Sequence, residues 1–366
     1  MSLAGLRVGV VFGSRSPEHE ISIITACQVM PVLGELGAAV VPLYLTKEGR
    51  MLTDPSFTEL SAFRRELPQE GTEVAAELGR GRLRVLPSGM LGRSRELPLD
   101  LLFPLVHGGH GEDGTLAALA DLLRLPQVGS GILGGALAMD KYRSKQLLAA
   151  AGLPVVPGRR VTSPSMAAGG ELPLVVKPNR SGSSIGVTLV EDEAGLGPAV
   201  ELALEFDSEA IVEPAVAGAQ DLNCAVKRRA ERASEVERPR KQQGLLSYQD
   251  KYVGGAKGKG DPRRELPAAI PPELRSRVRE LAVSAFDALS LSGTARVDFL
   301  LSDSGQLYVN EVNTIPGSLA FYLWEASGVS FPALLEELVS EAMELGPGRE
   351  PTLPGNLLAS GQLLGK

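Results

Sequence analysis

Strand-like apolar runs alternate with helical stretches through the first third of the chain, and that rhythm restricts the fold more than any other feature. Leu6–Phe12, Ile21–Gly34 and Ala38–Leu45 follow one another, and Asp100–Val106 later ends in a glycine-rich loop. Such alternation is the βα signature of a parallel sheet. Apolar positions recurring every three or four residues predict a helix over Ser144–Ala151, closed by Gly152 and Pro154. A second α/β unit follows, with Leu174–Lys177 and Ala210–Glu213 as strands around a turn rich in glycine and serine. The last part holds a long polar loop over Ser247–Glu265, a helix over Pro272–Leu289, and a strand pair, Ala295–Leu301 and Gln306–Asn313. A chain of 366 residues is too long for one compact core, and its 43% of hydrophobic residues can fill two or three. The class is α/β, turning to α+β in the C-terminal part. We see no internal repeat, and residues 347–366 read as a loose tail.

A net charge of −7 and 4% aromatic residues argue against a general nucleic-acid surface, so the expected partners are small molecules. The run Lys227–Lys241 carries seven basic and three acidic residues and reads as a solvated hairpin. Cys27 and Cys224 are too few and too far apart for a disulfide framework or a Cys-x-x-Cys site. The first residues run straight into a strand without a secretory leader, and no stretch reaches the roughly 18 apolar residues of a membrane span. The expectation is a cytoplasmic protein with no membrane partner.

Geometry can be argued for the C-terminal strand pair. If Ser304-Gly305 forms a two-residue hairpin loop, Asp298 falls opposite Glu311 and Arg296 opposite Asn313. Alternate residues of a strand share a face, so all four lie together. Two carboxylates and an amide oxygen make an all-oxygen site suited to Mg²⁺ carried on nucleotide phosphates. The other reading is a surface hairpin with an ordinary salt-bridge cluster, and a one-residue slip would dissolve the site. Lys177-Pro-Asn-Arg-Ser-Gly-Ser-Ser-Ile-Gly186 follows a strand; its small residues would let backbone N–H groups approach phosphate oxygens. It is not a Walker A loop. Gly129-Ser-Gly131-Ile-Leu-Gly134 matches a dinucleotide fingerprint, but it lies far from the first βα unit and Ala149–Arg159 contains no acid. It reads as a turn that lets a helix pack closely. The histidines fall in two loops, His19 in one and His107 and His110 in the other. Glycines around His107 and His110 cannot hold the helix that a zinc His-Glu-x-x-His motif needs, so these loops read as substrate grips at strand ends.

Seven ordered segments together resemble the D-alanine–D-alanine ligases, from about Leu6 to Leu338. They are Phe12–Ser22, His107–Thr115, Met139–Lys145, Lys177–Gly186, Asp250–Tyr252, Arg296–Asp298 and Asn310–Gly317. The resemblance implies a three-domain ATP-grasp fold with an N-terminal parallel-sheet domain: residues 1–125 for substrate, 126–214 as the central ATP-grasp part, and 215–346 as the C-terminal catalytic part. ATP would lie between the last two and two D-amino acids between the first and last. Lys141, Lys177 and Lys251 would hold phosphates with Ser184 beside them, and Glu213 and Val216 would meet the adenine. Asp298, Glu311 and Asn313 would bind two Mg²⁺ (or Mn²⁺) ions. Arg296 and the Gly317 N–H would stabilise a tetrahedral oxyanion. Glu18, Ser183 and Tyr252 would orient the first substrate, His107 would lie alongside it, and the Ser247–Glu265 loop would close over the site.

Gln220 stands where the family usually has a ribose-binding glutamate, and Ser318-Leu-Ala-Phe-Tyr322 replaces a common Phe-Thr-x-x-Ser grip on the second substrate. Ser318 and Leu319 are expected to take over that job. Tyr252, where ester-forming relatives carry histidine, favours a dipeptide product. The family also implies a homodimer and a place in peptidoglycan precursor synthesis. The alternatives are a ligase of the same fold with another D-amino or D-hydroxy acid or an L-amino acid as second substrate, a nicotinamide-dependent dehydrogenase read from Gly129–Gly134, and a silent ATP-binding regulator.

Overall fold

The computed structural model describes residues 2–87, 93–167, 169–240 and 264–348. The first sheet comprises β1 (Arg7–Gly13), β2 (Ala39–Leu45), β3 (Met51–Thr53), β4 (Thr72–Glu77), β5 (Arg82–Val85), β6 (Arg95–Pro98) and β7 (Leu101–Pro104) in the order β6-β5-β4-β3-β2-β1-β7. Only β2, β1 and β7 run parallel, which is the part the βα rhythm announced. The rest is an antiparallel extension whose outer strands carry charged, half-exposed residues, so no apolar run marks them. β1 is buried along nearly its whole length, as a strand covered on both faces must be. Helix His19–Glu35 packs one face of this sheet together with helix Phe331–Leu345 and Trp324 from the far end of the chain.

β8 (Arg159–Val161), β9 (Leu174–Pro178), β10 (Thr188–Val190) and β11 (Ala210–Pro214) form a second, antiparallel sheet in the order β10-β9-β11-β8. Helix Leu196–Phe206 buries Leu196, Ala199, Val200 and Ala203 on it, an i, i+3, i+4, i+7 stripe. The third sheet holds β12 (Gln220–Lys227), β13 (Ala233–Pro239), β14 (Arg264–Glu265), β15 (Thr294–Leu301) and β16 (Leu307–Asn313) in the order β14-β13-β12-β15-β16. Helix Pro272–Ala288 covers it, begun by Pro272 in its first turn.

One expectation changes here and another holds. The described part of the Lys227–Lys241 run, as far as Arg240, is a hairpin as expected, but not a solvated one: Lys227 is buried beside Glu337 with its ammonium 5.1 Å from the Trp324 ring centroid, and Glu237 is buried too. Gly129–Gly134 does open a helix, Ile132–Met139, and a Cβ on Gly134 would lie 2.9 Å from the Ser290 carbonyl oxygen, so this glycine serves close packing. Most of the Ser247–Glu265 loop lies outside the described residues, as do residues 349–366 of the expected tail. Among the described residues no helix is long and apolar enough to cross a membrane.

Candidate active site

A cleft of about 450 Å³ opens where the three sheets meet, and the β15–β16 hairpin forms one wall. Ala295, Val297 and Phe299 point into the core, which turns Arg296, Asp298 and Leu300 toward the cleft. Asp298 pairs with Glu311 and Arg296 with Asn313, the register expected from sequence. The turn that produces it is not the expected one. Ser302 N–H donates to the Gln306 carbonyl at 2.9 Å, so the loop is Asp303–Gly305, one residue longer. A bulge between the Asp298 and Phe299 pairs returns the lost residue to the ladder. Val309 and Val312 stay buried, so Asn310 and Glu311 both face the cleft. Arg296 donates through Nε and Nη2 to Asp298 at 2.6 and 2.7 Å, Asn313 Nδ2 donates to Asp298 at 3.1 Å, and Lys141 Nζ lies 3.5 Å from Glu311. Burial works against the Arg296 charge, but Asp298 overcomes it and holds the guanidinium firmly protonated.

Opposite this wall, Lys177 projects from β9 and donates to Glu213 at 2.5 Å and to Asn310 Oδ1 at 3.3 Å. Lys145 approaches the other Glu213 oxygen at 2.9 Å. Burial alone would raise the Glu213 pKa, yet the two ammonium groups hold it below the usual carboxylate range. Lys145 is pushed down to about 8, by burial first and then by Lys177. Lys141 Nζ donates to the Ser181 carbonyl at 2.5 Å, tying the serine-rich turn to the same place. In that turn Ser183 and Ser184 have φ of 53° and 58°, the left-handed conformation that costs a residue with a Cβ about 1–2 kcal/mol.

The turn brings Ser183 Oγ to donate to Glu18, just before the first helix. Glycines make this approach possible: a Cβ at Gly108 or Gly182 would sit 2.8 or 2.9 Å from Glu18 Oε2. Buried His107 lines the same corner, with Nε2 2.8 Å from Thr25 Oγ1, and Thr25 accepts from Ser318 N–H at 3.1 Å. Glu112 joins two loops distant in sequence, accepting from the N–H groups of Gly108 at 2.9 Å, Thr314 at 3.1 Å and Ile315 at 3.3 Å. Loss of water around its carboxyl, and then the neighbouring Glu18 charge, push it up to about 7. His19 is structural, bonded through Nδ1 to the Ser14 carbonyl at 2.6 Å and through Nε2 to Tyr44 OH at 3.0 Å.

Beyond Gly317 the chain makes a tight left-handed turn, with φ of 53°, 54° and 51° at Ser318, Leu319 and Ala320. The turn carries Tyr322 into a buried polar group. Tyr322 OH donates to Glu237 at 2.8 Å, Asn223 Nδ2 donates to the same oxygen at 2.9 Å, and Arg264 Nη1 lies 3.3 Å from the other. The Arg264 guanidinium stacks 4.0 Å from the Tyr322 ring centroid.

The structure therefore gathers Glu18, His107, Lys141, Lys177, Ser183, Ser184, Glu213, Val216, Arg296, Asp298, Glu311, Asn313 and Gly317 around one cleft. Three expected residues are not in its wall: Gln220 is exposed at the start of β12, while Ser318 and Leu319 are buried behind it. Lys251 and Tyr252 lie outside the described residues. Sequence reasoning gave no role to Glu112, Asn310, Glu237, Arg264 and Tyr322, which also line the cleft. Of these, Glu112 and Tyr322 fell inside stretches already singled out, His107–Thr115 and Ser318–Tyr322, without a role of their own, and Asn310 left a local signal, since the apolar spacing stretches from two to three between Val309 and Val312. Among the described residues no three His, Cys, Asp or Glu side chains converge as a metal cluster; the oxygen donors here are two carboxylates and the Asn313 amide. That set still fits a hard cation on phosphates, which needs few protein ligands.

Family models for the D-ala D-ala ligase N-terminus and the D-ala D-ala ligase C-terminus match residues 7–130 and 147–340. The chain is 35% identical over 353 residues to a D-alanine–D-alanine ligase of Thermosipho africanus, covering 93% of this chain and 94% of the relative. It is 38% identical over 371 residues to a D-alanine–D-alanine ligase of Mycolicibacterium vanbaalenii, covering 94% and 99%. Among solved structures it is similar to the VanG D-Ala:D-Ser ligase from Enterococcus faecalis, with a TM-score of 0.78 and 30% identity over 92% of this chain and 99% of that one.

Proposed function

The chain belongs to the D-alanine–D-alanine ligase family of ATP-grasp enzymes, and on that premise we propose how its cleft joins two D-alanines with ATP to form D-alanyl-D-alanine for peptidoglycan. One observation carries the assignment of residues: Glu18, Ser183, Arg296 and Gly317, drawn from distant parts of the chain, face a single cleft with Lys141 and Lys177. The three sheets support a division of labour in which residues 1–125 bring the substrate loops, 126–214 the phosphate lysines and 215–346 the acids and Arg296.

Lys141 and Lys177 take the ATP phosphates, and the β11 end at Glu213 and Val216 meets the adenine. Asp298, Glu311 and Asn313 are the residues that would hold Mg²⁺ or Mn²⁺, two ions in this reading; such ions, when bound, neutralise charge on the phosphoryl group being transferred. Glu18, oriented by Ser183, pairs with the ammonium of the first D-alanine. That substrate's carboxylate takes the γ-phosphoryl group as the bond to ADP breaks. The amine of the second D-alanine then attacks the acyl carbon, and phosphate leaves after a tetrahedral oxyanion. Arg296 and the Gly317 N–H stabilise that oxyanion by fixed charge and dipole. Lys251, Tyr252 and a homodimeric state complete the reading as expectations from the family.

The experiment is ADP release with Mg-ATP and D-alanine, beside L-alanine, in the unaltered chain and in Glu18→Gln. Release with D-alanine alone, reduced about 100-fold or more in the variant, supports the assignment. Equal release by the variant removes Glu18 from the site. A second reading, a ligase whose acceptor is another D-amino acid such as D-serine, draws on the VanG likeness and on the unusual turn after Gly317.

A further inference from the structure

We propose that Lys145, buried behind the cleft, is a positioning residue for the phosphate end: by holding Glu213 it keeps the Lys177 charge available to an ATP phosphate. The inference rests on the ATP half of the ligase reading. Lys145 is 5% exposed and, unlike Lys141 and Lys177, is not in the cleft wall. It stands one turn beyond Lys141 on helix Lys141–Ala150, and residues four apart on a helix share a face. Lys141 donates from that face to the Ser181 carbonyl in the serine-rich turn. Lys145 reaches β11 instead, its Nζ 2.9 Å from Glu213 Oε2 and donating to the Val156 carbonyl at 3.2 Å.

The other Glu213 oxygen accepts from Lys177. An ammonium has three donors, and Lys177 uses two, on Glu213 and on Asn310 Oδ1, which leaves one for phosphate. Charge balance points the same way. At the phosphate end, among the described residues, Lys141 faces Glu311 at 3.5 Å and Lys177 faces Glu213, so each of these wall lysines meets an acid. Lys145 adds a further cation: two ammonium groups to one carboxylate leave the trio Lys145, Glu213 and Lys177 net positive. Without Lys145 the carboxylate would cancel Lys177, and an anionic phosphate would meet a neutral pair. The charged groups that act on Lys145 most strongly are Lys177 on β9, Glu213 on β11 and Glu311 on β16. Burial first, and then Lys177, push its ammonium down to about 8, so the charge is present at neutral pH and is lost as pH rises through that value.

The test is calorimetric binding of a non-hydrolysable ATP analogue with Mg²⁺, in the absence of D-alanine. Lys145→Met, similar in length and uncharged, weakens binding by roughly 10- to 100-fold at pH 7. Lys145→Arg, which keeps the charge, stays closer to the unaltered chain. Between pH 7 and pH 9 the affinity of the unaltered chain falls by up to about 10-fold, whereas that of Lys145→Met does not follow pH. A merely structural lysine would change the stability read in urea unfolding but not the affinity of the folded chain or its pH dependence. A folded Lys145→Met that binds as tightly as the unaltered chain overturns the proposal. So does an unaltered chain whose affinity holds steady from pH 7 to pH 9, a result that is read even where Lys145→Met does not fold. Absence of binding by the unaltered chain at pH 7 overturns the ATP reading itself, and is told apart because no variant is needed to see it.

Discussion

Two buried lysines share one carboxylate at Glu213, and that arrangement fixes the cost of disturbing it. Glu213→Gln would leave Lys145 and Lys177 without their counter-charge, a mechanism that costs about 3–5 kcal/mol when one partner of a buried pair is removed. We expect a loss of about 3 kcal/mol in urea unfolding; a loss below about 1 kcal/mol would show that the lysines find other partners. Glu112 offers a pH signature. Its carboxyl is pushed up to about 7 in the fold, so between its ordinary value and 7 the native state holds a proton that the unfolded chain has released. Stability from this group is therefore greatest at low pH and falls as pH rises through that window. The stability of the unaltered chain minus that of Glu112→Gln should shrink between pH 5 and pH 8, and a difference constant with pH contradicts the shifted carboxyl. Residue identities in the motifs were legible in the sequence because charge and glycine patterns are local. Glu237 and Arg264 were not: inside charged stretches they look like surface, and only the packing of Tyr322 against them makes them part of the cleft wall.

At the scale of elements, the β15–β16 hairpin shows how a sound conclusion can rest on a wrong detail. The loop is one residue longer than expected and the bulge at Asn310 adds one to the opposite strand, so the Asp298–Glu311 pairing survives. The bulge also puts two successive side chains into the cleft, Asn310 toward Lys177 and Glu311 toward Lys141. A turn of two residues and one of three differ little in composition, whereas the acid positions follow from strand alternation, which the sequence states openly. Gly134, inside helix Ile132–Met139, is an element-level device as well. Gly134→Ala would press a Cβ within 2.9 Å of a backbone carbonyl, and overpacking of this kind costs about 1–3 kcal/mol. We expect a lower melting temperature in calorimetry; an unchanged one would show that the helix can move away.

For the whole molecule, the proposed function depends on three sheets meeting at one cleft, with residues from Glu18 to Gly317 on its walls. Which sheets a chain of this length would form was legible only where periodicity is strong. The four antiparallel strands beyond β2 escaped notice because β3 is only three residues long and β4, β5 and β6 carry charged residues, so none has a long apolar signature. The meeting of the sheets was reached by resemblance rather than by periodicity, since contacts between Glu112 and Thr314, or Thr25 and Ser318, join loops far apart in sequence. If nucleotide binds as proposed, between the second and third sheets, it should stabilise the native state by mass action. A non-hydrolysable ATP analogue with Mg²⁺ at about 100 times its Kd should contribute roughly 2.7 kcal/mol, read as a rise in melting temperature that Lys177→Ala abolishes. The most direct measurement of the central claim is mass identification of the product from Mg-ATP and D-alanine, with D-serine and D-lactate offered as competing acceptors. D-Alanyl-D-alanine as the main product is the result expected here. A mixed D-alanyl-D-serine or D-alanyl-D-lactate product would contradict it and move the acceptor assignment to the turn after Gly317.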